Sequence, residues 1–157
     1  MDIQGQHQIS APPEQVWRDL HDPDVLKLCI PGCKRLDRVD AEHFECDITA
    51  KYGPVKATFK SKLTIEECSP PNSYVLAGEG RGRAAGFGKA RARVQLAPRG
   101  DGTLLIYTAQ FMVGGKLAQL GSRLIVATTR RLSDDFFSSF SARFDSLDAQ
   151  ATPLSTP

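Results

Sequence analysis

No apolar run in this 157-residue sequence comes near the length of a membrane span. The longest, such as Leu124–Ala127, cover a few residues, against about 20 for a helix that crosses a bilayer. The first residues, Met1–Gln8, are polar and lack the apolar centre of a secretory signal. Histidine is scarce: His7, His21 and His43 only. His7 falls in an alternating strand, His21 at a helix end and His43 at a turn, and none has a serine or cysteine beside it in a nucleophile pattern. The four cysteines include Cys29 and Cys33 in a C-x3-C spacing. Zinc sites show two such pairs, and no second pair exists here. Reduced thiols packed beside the Pro31–Gly32 turn are the simpler account. Asp134 and Asp135 are neighbours on a helix, about 100° apart, and are placed to pair with Arg130 and Arg131. These absences predict a soluble, cytoplasmic chain with no metal site, no catalytic residues and no enzymatic activity.

The remaining composition is that of a folded domain: 41% hydrophobic and 24% charged residues. One domain of this size buries enough surface to need neither metal nor disulfides for stability. Charge is unevenly spread. Residues 1–50 carry 5 basic and 10 acidic side chains, and residues 51–100 carry 10 basic and 3 acidic. The basic third either meets an anionic partner or is neutralised by acidic strands beside it.

Patterning gives the order of elements. Ile3, Gly5, His7 and Ile9 alternate with polar residues as a first strand. Pro12–Pro13 opens a short helix carrying Val16, Trp17 and Leu20, and Asp22–Pro23 opens a second that Pro31–Gly32 stops. A period of two then runs through six strands joined by tight turns. Phe59, Ser61, Leu63 and Ile65 share one face, as do Ala90, Ala92, Val94 and Leu96. The final strand is ambiguous: Leu104, Ile106 and Met112 compete with Leu105, Tyr107 and Phe111 for the inward face. Beyond Gly114–Gly115, Leu117, Leu120, Leu124, Thr128, Leu132, Phe136, Phe140 and Phe144 recur at helical spacing. This predicts one helix of about 30 residues. The fold class is α+β, a curved antiparallel sheet wrapped around a long C-terminal helix, with two short helices after the first strand. One domain spans 1–147, with a loose tail over 148–157. Such a sheet and helix leave a gap between them suited to an apolar ligand.

Gly78-x-Gly80-x-Gly82 and Gly86-x-Gly88 lie between strands, not before a helix, so a phosphate loop is unsupported. Either these glycines leave room in the gap, or the hairpin needs their backbone freedom.

This order resembles the START-like (SRPBCC, helix-grip) superfamily. More narrowly, Pro13-Glu-Gln-Val-Trp17-Arg-Asp-Leu20, Cys29-Ile-Pro-Gly-Cys33 and Tyr52-Gly-Pro-Val-Lys-Ala-Thr-Phe59 are similar to the CoxG family of carbon monoxide dehydrogenase subunits. So are the glycine passage and Gly114-Gly-Lys-Leu-Ala-Gln-Leu-Gly121. The resemblance implies a non-enzymatic accessory protein of a molybdenum hydroxylase. It implies a hydrophobic pocket for a quinone- or lipid-like molecule, with no other cofactor, and coupling of the enzyme to the inner face of the membrane. Longer members continue into a linker and a membrane-binding segment, and the sequence here runs to Pro157 without one.

The candidate ligand-binding residues are Trp17, Phe59, Leu63, Ala92, Val94, Tyr107, Phe111, Leu120, Gly121, Leu124 and Thr128. Trp17 would seal one end of the gap, its plain alternative being helix packing. Phe136, Phe140 and Phe144 are expected in solid core or at a dimer contact. Partners are the hydroxylase subunits, an apolar small molecule and a peripheral membrane contact. Nucleic acid is not expected, because no stacking aromatics interleave with the basic residues. Two rival readings stay open: an assembly factor with an incidental cavity, and a lyase or cyclase with an acid–base pair inside it.

Overall fold

The computed structural model describes residues 1–151, with side chains through Asp145. The tail expected over 148–157 falls from residue 152 onward outside the described residues. The elements run β1 (Asp2–Ile9), α1 (Pro13–Leu20), α2 (Pro23–Cys29), β2 (Cys33–Arg38), β3 (His43–Tyr52) and β4 (Val55–Ser69). They continue with β5 (Ser73–Gly82), β6 (Gly86–Arg99), β7 (Gly102–Gly114), a 3-10 turn (Gly115–Leu120) and α3 (Ser122–Ala151). Proline supplies the first residue of α1 and of α2, where a missing N–H costs nothing. The Asp22 carboxylate accepts the Asp24 amide at 2.9 Å and caps α2.

All seven strands form one antiparallel sheet in the order β1-β7-β6-β5-β4-β3-β2. Register settles the ambiguity of β7. Tyr107 lies opposite Gly5 and Val94, and Phe111 opposite Ala90. Leu105 and Tyr107 are buried, whereas Met112 is 53% exposed. The inward face of β7 is therefore Leu105, Tyr107, Ala109 and Phe111.

The outward face carries a charge ladder. Glu45 stands opposite Lys62, Lys62 opposite Glu79, and Glu79 opposite Lys89. Arg91 pairs with Glu66 and Glu67, and Arg93 with Glu67. Much of the basic third is thus neutralised by its neighbours, as cross-strand pairing of opposite charge favours.

The expected helix stripe needs correction at its start. Leu117 and Leu120 lie in the 3-10 turn, and Gly121, at φ +89°, separates that turn from α3. An α-helix cannot run through a residue in that conformation. The helix therefore starts at Ser122, after Leu117 and Leu120. Within α3 the expected stripe holds at Thr128, Phe140 and Phe144, which are buried, and Ile125 and Phe137 join it. Phe140 and Phe144 sit in the main core.

Candidate functional site

Between the sheet and α3 lies a cavity of about 460 Å³. Its floor is the inward face of β4 to β7, and the reason for the open space lies in the residue sizes there. Gly80, Gly88, Ala90 and Ala92 line it where larger side chains would fill it. A Cβ placed on Gly88 would find its nearest atom at 3.7 Å, an ordinary contact, so a side chain there would meet no clash. A Cβ on Gly80 would lie 2.6 Å from the Ser61 hydroxyl. Neither glycine has a positive φ. Gly86 does, at φ +116°, and a Cβ there would collide with the Gly114 carbonyl. Both accounts of the glycine passage thus hold, at different positions: backbone freedom at Gly86 and room on the cavity wall at Gly88, while at Gly80 the Ser61 hydroxyl crowds out a side chain.

Six of the expected ligand-binding residues, Phe59, Leu63, Ala92, Val94, Tyr107 and Phe111, come together on the cavity wall. Five do not. Trp17 stacks on His21 at 4.6 Å and meets Tyr74 edge-on at 5.2 Å, behind the wall. Leu120 packs with a separate small cluster around Leu117. Gly121 faces open space, and Leu124 covers the β3–β4 turn at Gly53. Thr128 is buried, but outside the wall. From α3 the wall takes Thr129, Leu132, Ser133, Phe136 and Phe137, of which Leu132 and Phe136 belong to the expected stripe. Phe136, expected in solid core or at a dimer contact, lines the wall. Ile30 and Pro31, from the turn after α2, complete the rim beside Tyr52.

Hydroxyls supply the wall's polarity. The Tyr52 hydroxyl lies 3.2 Å from the Thr129 hydroxyl, and Ser133 donates to the Thr129 carbonyl at 2.9 Å. Tyr107, stacked on Phe137 at 5.1 Å, is held above the usual phenol range by burial, with Asp134 adding to the effect. Burial also keeps Tyr74 protonated. These phenols are therefore neutral donors at physiological pH. Among the described lining residues there is no carboxylate, imidazole, thiol or amine.

Nearby titratable groups offer little nucleophilic chemistry. Burial raises Cys29 and Cys33, and pushes Cys46 to about 11. None is poised as a thiolate. Among the described residues, no group of three or more His, Cys, Asp or Glu could hold a metal ion. No described helix is long and apolar enough to cross a membrane. The site can therefore enclose an apolar body and offer hydroxyl donors to a carbonyl or hydroxyl on it.

Comparison with known proteins agrees with this architecture. A conserved protein from Geobacillus kaustophilus superposes with a TM-score of 0.86 at 29% identity, covering 93% of this chain and 96% of that one. The aromatase/cyclase Zhui from Streptomyces sp. R1128 gives 0.65 at 14% identity, covering 92% and 93%. Ara h 8.0201 gives 0.66 at 12% identity, covering 93% and 98%. At such identities the last two speak for the helix-grip fold alone. No curated protein sequence matches the chain. The family model for the carbon monoxide dehydrogenase component CoxG matches residues 5–144, from the first strand through the last buried phenylalanine of α3, so the chain belongs to the CoxG family.

Proposed function

We propose that this protein is a non-catalytic accessory subunit of a molybdenum hydroxylase of the carbon monoxide dehydrogenase type. It holds a quinone- or lipid-like molecule in the cavity and couples the enzyme to the inner face of the membrane. The observation that carries this reading is the cavity itself. Its volume of about 460 Å³ falls in the range of roughly 300–1,000 Å³ typical of small-molecule sites. Its wall is apolar, with hydroxyls grouped at Tyr52, Thr129 and Ser133. A quinone matches that division, being an apolar ring with carbonyl acceptors. The absence of acid–base groups among the described lining residues favours carriage over lyase or cyclase chemistry.

The test is titration with menadione, a small naphthoquinone, followed by quenching of Trp17 and tyrosine fluorescence. Saturable binding at one equivalent is expected. Gly88→Leu should weaken it at least tenfold, about 1.4 kcal/mol, with little change in melting temperature, because its Cβ meets no atom closer than 3.7 Å and Gly88 lines the cavity. Unchanged affinity in that variant, or no binding by the parent, overturns the reading. Capture of the hydroxylase by Gly88→Leu at parental strength would show that the partner contact does not depend on the cavity.

A further inference from the structure

We infer that the end of the molecule bearing the β3–β4 hairpin, the β5–β6 hairpin and the Gly115–Leu120 turn docks on an anionic lipid bilayer, and that docking opens the cavity. This rests on the reading of the cavity as a site for an apolar molecule.

The first observation is electrostatic. The antiparallel order places four connections at one end of the sheet: α2 to β2, β3 to β4, β5 to β6, and β7 to α3. That end carries Lys51 and Lys56, paired across the first hairpin. It also carries Arg81 and Arg83 on the second hairpin, Lys116 on the 3-10 turn and Arg123 at the start of α3. All six are exposed, and among the described residues none makes an ion pair. No carboxylate occurs in residues 48–65, 80–100 or 102–133. The opposite end of the sheet gathers Asp37, Asp40, Glu42, Glu66, Glu67 and Asp101 around its turns. Charge is therefore segregated along the strands, and the uncompensated cations crowd one end.

The second observation is structural. Val55, Ala85 and Leu117 form a small cluster that closes this same end. Tyr52, Phe59, Val113 and Leu117 belong both to that cluster and to the cavity wall. Beyond the strand ladders, which reach Phe59–Gly82 and Phe87–Gly114, the hairpins and the turn are tied by the Leu117 amide on the Ala85 carbonyl at 2.9 Å, and the first hairpin to α3 by the Tyr52–Thr129 hydroxyl pair. Parting the cluster uncovers the cavity at the end that carries the cations. An apolar molecule needs a path that avoids water, and a bilayer held against this end provides one. Anionic headgroups attract exposed Lys and Arg within about a Debye length.

The experiment is co-sedimentation of the full chain with phosphatidylcholine vesicles, with and without phosphatidylglycerol. Binding is expected only when phosphatidylglycerol is present, and should weaken with added salt. Replacing Lys51, Lys56, Arg83 and Lys116 by Gln should lower binding by about fivefold per residue, whereas Arg99→Gln, exposed where β6 ends at the opposite end of the sheet, leaves it unchanged. No binding by the parent, or equal loss in the control, overturns the inference. So does capture of an acidic hydroxylase surface that is lost in the hairpin variant while vesicle binding persists. Menadione titration of the hairpin variant in membrane-free buffer separates the two readings. Vesicle binding without menadione binding in the parent removes the cavity reading and leaves the docking surface. The reverse result removes the docking surface alone.

Discussion

The two apolar clusters of this protein are unequal in size and in what they hold. The larger joins twenty buried side chains from β1, both short helices, all the remaining strands and α3, with Phe44, Phe140 and Phe144 at its centre. The smaller has three, Val55, Ala85 and Leu117, drawn from hairpins and a 3-10 turn. The cavity lies between them and shares wall residues with both. Free energy of opening is not uniform across a fold, and segments with few buried contacts open first. The large cluster therefore keeps the sheet and α3 together, while the small one can part without unfolding the rest. A binding site placed at their junction acquires a rigid floor and a movable end.

The largest effects should come from truncating each cluster in turn. Phe140 is fully buried, and Phe140→Ala should cost about 3–5 kcal/mol of global stability, measured by urea denaturation. Leu117→Ala removes a side chain of the small cluster and should cost about 2 kcal/mol, the low end for leucine. The contrast sharpens in amide exchange. Leu117→Ala should quicken exchange in residues 50–58 and 82–88 while leaving α1 and the centre of α3 protected. Equal global destabilisation by the two variants, with uniform exchange, would show that the clusters unfold as one unit.

A smaller effect is expected at the latch between hairpin and helix. Tyr52→Phe keeps the ring against the small cluster and deletes the hydroxyl 3.2 Å from Thr129. The loss should be about 0.5–1.5 kcal/mol, and menadione should leave the cavity faster. Slower or unchanged release would assign the hydroxyl to packing and not to closure.

How much of this was legible in the sequence differs between the same two regions. The floor of the cavity could be read because a period of two assigns faces locally: Phe59 and Leu63 on β4, Ala92 and Val94 on β6. β7 could not be resolved that way, since both of its faces are apolar. Its orientation follows from pairing with β1 and β6, which is non-local. The helix side was misassigned for a local reason: a stripe of leucines at 117, 120 and 124 reads continuously, but Gly121 breaks it. The glycine was visible, and treating it as a helix break would have taken Leu117, Leu120 and Gly121 off the helix face, while Leu132 and Phe136 of the same stripe do line the cavity beside Thr129, Ser133 and Phe137. The placement of Ile30 and Pro31 beside Tyr52 had no sequence signal, because it depends on how α2 packs against α3 and β2. The basic third of the chain was legible as composition. Its division into a neutralised face and an uncompensated end depends on strand register.

The smallest expected effect is in pH, and it separates the clusters by chemistry instead of size. His21 has Nδ1 at 2.6 Å from the Trp17 carbonyl oxygen, so that nitrogen carries the proton and donates it. Its Nε2 is buried without a partner, and the ring lies against Trp17 and Tyr74. Charging it would place an unpartnered proton among aromatics. Burial therefore holds its pKa below the usual 6.5; the Trp17 hydrogen bond opposes this and Arg38 adds to it. His7, stacked on Phe137 at 4.5 Å, is lowered by burial too, against the pull of Asp134. In the unfolded chain both rings titrate near 6.5. Below that value the unfolded chain binds protons that the folded chain refuses. The contribution to stability is thus complete above about pH 6.5 and is lost as pH falls through the folded-state values. Asp40 and Asp47, both held below their ordinary 3.8 by hydrogen bonds, add a second loss only in stronger acid. Urea midpoints at about pH 7.5 and about pH 5.5 should therefore differ, with the acid midpoint lower. His7→Gln with His21→Gln should flatten that slope, since an amide can keep the Trp17 contact without titrating. Leu117→Ala should lower both midpoints and leave the slope intact, because the small cluster holds no imidazole. A slope that persists without His7 and His21 would place the pH-sensitive group outside the large cluster.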